Sequence, residues 1–209
     1  MATTYNTIAG HSVERIAALS DGIFAVAMTL LVLDLKVPAT EAIHSEHDLR
    51  LALFALSPRL LMFGMSVLTL GIFWVGQQTQ LNHLERSDRG LSWIHIAFLG
   101  AVSLIPFSTA LLAQFTAYRI ALIVYWLNIL IIGASLYFSW SCAIGKGLVR
   151  SDIACDVPIA IQRRIVVAQA LYAFGALLCV FSTYWSIAFI VAVQLNYALA
   201  PRLLNRSRS

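Results

Sequence analysis

Along this 209-residue chain, apolar runs of roughly 20 residues alternate with short polar stretches, and that is the length a helix rising about 1.5 Å per residue needs to cross a bilayer. Six segments qualify, at 14–37, 50–78, 92–113, 118–144, 164–182 and 184–200. The pattern predicts an all-α integral membrane protein with six transmembrane helices, residues 1–204 forming one membrane domain and 205–209 a disordered cytoplasmic tail. In the second segment, LALFALSPRLL, Pro58 either kinks an overlong helix or starts its embedded part. The fourth is predicted to stop at Gly145-Lys146-Gly147. The last two, joined through Ser182-Thr183-Tyr184-Trp185, read as a tight antiparallel pair.

Composition sharpens this picture. The chain is 60% hydrophobic and 11% charged, whereas soluble domains carry about 25% charged residues. The net charge of +4 does not indicate nucleic acid, because the basic residues are scattered between apolar segments and form no aromatic-interleaved stripe. They report topology instead. Arg15, Arg86, Arg89, Lys146, Arg150, Arg163, Arg164, Arg202, Arg206 and Arg208 fall on one side, and Lys36, Arg50, Arg59 and Arg119 on the other. By the positive-inside rule both termini are expected in the cytoplasm, with the loop TEAIHSEHD outside. No removable signal peptide is expected in the polar first fourteen residues.

Candidate chemistry is sparse. Cys142, Cys155 and Cys179 lack CxxC or zinc-type spacing, and His44, Glu46 and His47 read as a solvated loop. No HExxH, GxSxG or Walker-type motif appears, so no enzyme activity, metal or cofactor is expected. Asn128, Gln169, Gln194 and Asn196 lie within spans and are predicted to tie helices together by hydrogen bonds.

The first span, RIAALSDGIFAVAMTLLVLDLKVP, is the most informative. At 100° per residue, Ala18, Gly22, Ala25 and Thr29 form a small-residue strip suited to close backbone approach. Ile23, Ala27, Leu30 and Asp34 form a second face, and Phe24, Met28, Leu31 and Leu35 a bulky third. Periodicity alone fits the second face either as ordinary packing or as the lining of a narrow hydrophobic pore. Arg15 and Asp21 stand on different sides of the helix, about 9 Å apart along its axis, and are expected to reach partners on other helices.

At RIAALSDG the chain resembles the transmembrane protein 175 family of potassium channels, whose signature is an arginine followed after three or four residues by Phe-Ser-Asp. Arg15, Ser20, Asp21 and Gly22 match, with Leu19 in the phenylalanine's place. GIFWVGQQ and LIPFSTALL resemble the family's Phe-Trp and Pro-Phe-x-Thr stretches, with Gln77 where a histidine is common. The resemblance implies a potassium-selective channel without a TVGYG filter, in a prokaryotic plasma membrane. It implies a homotetramer in the lipid bilayer whose first helices line the pore and pass potassium ions, with Ile23 and Leu30, and Val26 or Ala27 between them, as the constriction. Arg15, Ser20 and Asp21 would form a structural network at the cytoplasmic end, and His95, near that end of the third span, is a weaker candidate for it. Trp74 and Gln77, placed near the outer end of the second span, are weaker candidates for it. The competing reading is a proton- or ion-coupled secondary transporter using Asp21 and Asp34, although no inverted repeat or broken midplane helices are visible.

Overall fold

The computed structural model describes residues 12–205; the predicted tail beyond Asn205 lies outside them. Helix α1 spans Val13–Leu31 and ends in a single tight turn, Val32–Asp34. Its start is set by Ser12, whose side chain accepts a hydrogen bond from the Arg15 amide at 3.2 Å and so satisfies one of the four orphan N–H groups of a helix start. A short helix, α2 (Glu46–Ala55), precedes α3 (Ser57–Asn82), and Pro58 sits in the first turn of α3. There a missing N–H costs nothing, so Pro58 starts the embedded helix instead of bending a longer one.

The third span is in two pieces, α4 (Arg89–Ser103) and α5 (Ile105–Gln114), divided at Leu104. The expectation of an uninterrupted segment at 92–113 missed this break. Pro106 has no N–H to give to the Val102 carbonyl, and its ring crowds that turn. Helix α6 covers Arg119–Gly145, and the chain leaves it through Gly147 at φ +61°, a conformation glycine adopts without penalty. Helix α7 (Val157–Leu177, continued by a tight turn to Val180) starts with Pro158 in its first turn, seven residues before the predicted segment. Helix α8 spans Thr183–Asn205.

Five of these helical stretches are long and apolar enough to cross a membrane, and Thr183–Leu199 is a shorter apolar helix beside them. The bundle's basal end is the one where α1, α4 and α7 begin and α3 and α6 finish; the apical end carries α2. Helix α6 is central, packing against α4, α5 and α7, while α1 lies against α3, α4 and α5, and α8 against α3 and α7. One continuous core runs from Phe24 and Leu31 of α1 through Leu70, Val102 and Ile129 to Ile190 of α8. Two basal loops are clamped together by Lys146, whose Nζ lies 2.5 Å from Asp88 Oδ2, and by pairing of Leu84 with Val149.

Candidate ion pathway

Helix α1 has one face inside the subunit and one outside it. Phe24, Ala27 and Leu31 are buried, and Ile23 and Met28 pack partly against the same core. The bulky stripe is therefore the packing face. The small strip is open instead: Gly22, Ala25 and Thr29 are exposed, and a Cβ at Gly22 would meet nothing within 4 Å.

This changes which expected constriction residues are available between subunits. Ala27 is 2% exposed, covered by its own chain. Ile23 is only partly accessible. Val26 (55% exposed) and Leu30 (44%) do face outward, and Leu33 (70%) extends them at i, i+4, i+7 spacing. Of the four expected residues, Val26 and Leu30 are thus exposed, Ile23 is intermediate and Ala27 is buried. The signal that finds the open face is the bulk of Phe24, Met28 and Leu31, which must go inward and thereby turns Val26 out.

The basal end of α1 is fastened by a hydrogen-bonded cluster. Ser20, fully buried, donates to the Ile16 carbonyl at 2.7 Å and accepts from Gln77 Nε2 at 2.9 Å. The same Gln77 nitrogen lies 3.3 Å from His95 Nδ1, and His95 Nε2 lies 3.1 Å from Ser139 Oγ. An amide that donates to Nδ1 requires the neutral ring carrying its hydrogen on Nε2, which then donates to Ser139. On the exposed side, Asp21 Oδ1 accepts from Trp74 Nε1 at 2.7 Å and Gln78 Nε2 at 2.9 Å.

Trp74 and Gln77 thus sit at the basal end, not at the opposite end of the second span. Antiparallel packing of α1 and α3 sets the close of one against the start of the other. The glutamine serves where an imidazole was expected, because its amide reaches both Ser20 and His95. Two signature residues stand apart from the cluster. Arg15 is exposed and makes no ion pair among the described residues, and Gly22 only contributes to the open strip. Gln78 and Ser139 were missed. The first adjoins Gln77 in the quoted stretch, whereas nothing local distinguishes the second.

A second polar group ties the middle of the bundle. Ser66 Oγ lies 2.6 Å from Thr109 Oγ1, Thr69 Oγ1 lies 2.8 Å from the Tyr125 hydroxyl, Gln194 donates to Thr69 at 2.7 Å, and Asn128 donates to Ser108 at 3.2 Å. Asn128 and Gln194 therefore bridge helices as expected, while Asn196 is exposed.

At the apical end a cleft of about 240 Å³ is lined by Leu30, Leu33, Asp34, Arg59 and Phe63, with Arg59 Nη1 donating to the Asp34 carbonyl at 3.3 Å. The open face of α1 accordingly runs from apolar to polar, Val26, Leu30 and Leu33 and then Asp34, while Asp21, about 140° round the helix from Val26, is held against α3 by Trp74 and Gln78. Thirteen residues separate the two carboxylates, about 20 Å of helix. Inside the subunit, by contrast, the gap between α3, α6 and α7 is about 70 Å³, room for a water or two and not a passage.

Comparison with known proteins agrees with this arrangement. Residues 15–106 match the family described as the endosomal/lysosomal potassium channel TMEM175. A potassium channel of Streptomyces collinus is 38% identical over 101 residues, 48% of this chain and 48% of that one. The human endosomal/lysosomal proton channel TMEM175 is 32% identical over 111 residues, 49% of this chain and 22% of that one. The matches thus span about half the length of the first of these relatives and less of the second. The crystal structure of a lysosomal potassium-selective channel TMEM175 homologue from Chamaesiphon minutus superposes with a TM-score of 0.79 at 28% identity, covering 91% of this chain and 98% of that one. The family is one of channels, not of enzymes.

Proposed function

We infer that this chain, which through residues 15–106 belongs to the TMEM175 channel family, is one subunit of a homotetrameric, potassium-preferring cation channel of a prokaryotic plasma membrane, with both termini cytoplasmic. The observation that carries the reading is the open face of α1, an aliphatic stretch of Val26, Leu30 and Leu33 with the Asp34 carboxylate at its apical end. A subunit with a filled core offers ions no route of its own, so conduction needs a path between copies. Four α1 helices around one axis would set the aliphatic side chains as a narrow, poorly wetted constriction, and the Asp34 carboxylates at its apical mouth favour cations. Ile23 lies at the margin of that face and Ala27 behind it.

The Streptomyces and Chamaesiphon proteins are named for potassium and the human relative for the proton, so the permeant ion is the point to test. Purified protein in liposomes is expected to carry a passive potassium flux that exceeds sodium flux and grows linearly with driving force. Flux that saturates and requires a proton gradient would contradict a channel and favour coupled transport.

A further inference from the structure

We propose that the groove at the basal end of α7 binds the headgroup of an anionic phospholipid of the adjoining leaflet. Because α7 begins at Val157, Arg163 and Arg164 lie in its second turn, about 9 Å along the helix, and not in a loop ahead of it. Both are exposed, and neither forms an ion pair among the described residues. The Arg164 guanidinium lies 5.6 Å from the centre of the Tyr197 ring of α8, which holds it at the groove wall. The groove between them encloses about 570 Å³. Its acidic member, Asp156, leaves two positive charges facing one negative. A phosphodiester restores the balance, and a guanidinium presents it two parallel N–H donors.

The apolar surroundings point to a lipid as the source of that phosphate. Ile159 and Val167 flank Arg163 one turn to either side, 67% and 44% exposed. The stripe continues apically through Phe174 and Leu177, both exposed, giving an acyl chain an uninterrupted greasy track away from the basic pair. Basic pockets between spans at the cytoplasmic surface are suited to anionic headgroups, each nearby arginine adding about 1 kcal/mol.

Native mass spectrometry of the full chain in detergent, with phosphatidylglycerol and phosphatidylcholine in competition, tests this. Wild type should retain phosphatidylglycerol preferentially. The double variant Arg163→Gln/Arg164→Gln should bind it about 30-fold more weakly, equivalent to about 2 kcal/mol. The double lysine variant should keep most of the preference, Asp156→Asn should strengthen it, and Arg50→Gln at the apical end should leave it unchanged. Equal retention of the two lipids by wild type, or the same preference in the glutamine and wild-type proteins, would overturn the proposal. So would weaker binding by Asp156→Asn, which removes only the opposing charge.

Discussion

The two sides of α1 are built on opposite principles. Inward, every bulky side chain meets the subunit core and each end of the Ser20–Gln77–His95–Ser139 chain of hydrogen bonds meets another helix. Outward, a Cβ at Gly22 would meet nothing within 4 Å, and Val26, Leu30 and Leu33 are exposed. Just 22% of the apolar window of α1 is buried, against 44% for the central helix α6. The inward side fixes where the helix stands and the outward side is left for whatever surrounds the subunit. On the proposed function, stability and conduction then fall to different residues of the same turns.

That division predicts a ranking. Phe24→Ala empties a fully enclosed site and should lower subunit stability by about 3–5 kcal/mol in a detergent unfolding titration. Gln77→Leu leaves the Ser20 hydroxyl and His95 Nδ1 without their donor and should cost about 1–3 kcal/mol by the same assay. Lys146→Met removes the basal clamp and should cost less than about 1 kcal/mol, because both partners are partly solvated. Burial pushes the Asp88 carboxyl up, but the Lys146 hydrogen bond and the Leu91 and Gly90 amides outweigh it and leave the carboxyl below its ordinary 3.8. The Asp88 hydrogen bond raises Lys146 above its ordinary 10.5. The carboxyl term is present above about pH 4 and fades as pH falls through the depressed value; the ammonium term is present below 10.5 and fades as pH rises through the raised value. Wild type and variant should therefore differ by a constant amount between those limits and converge outside them. Val26→Ala should change stability by no more than about 0.5 kcal/mol while raising ion flux. A Val26 variant that unfolds the subunit more readily than Gln77→Leu would break the comparison.

Helical type and five of the six expected spans were legible because an apolar run of bilayer length has few alternatives; the sixth segment forms a shorter apolar helix, Thr183–Leu199. Boundaries followed less well where proline acts: Pro58 and Pro158 open helices and Pro106 divides one, and the same residue gives both outcomes according to which carbonyl it deprives. The signature at Ser20 and Asp21 located the basal cluster, and the resemblance supplied Trp74, Gln77 and His95, but neither pointed to Gln78 of α3 or Ser139 of α6. Ser139 meets His95 across 44 residues of sequence, a pairing set by the crossing of α4 and α6. The choice between Val26 and Ala27 on α1 was left open by the sequence, because aliphatic character is shared by the packing and open faces, and burial of Ala27 beside exposed Val26 separates them.

Thiol accessibility along α1 addresses the division most directly. With Cys142, Cys155 and Cys179 replaced, cysteine is placed at position 24, 26, 27 or 30, and potassium flux into liposomes is followed while a charged, water-soluble thiol reagent is added. Val26→Cys and Leu30→Cys channels should be blocked rapidly, and Phe24→Cys and Ala27→Cys channels should be indifferent. Block at 24 or 27 with none at 26 and 30 would contradict the account.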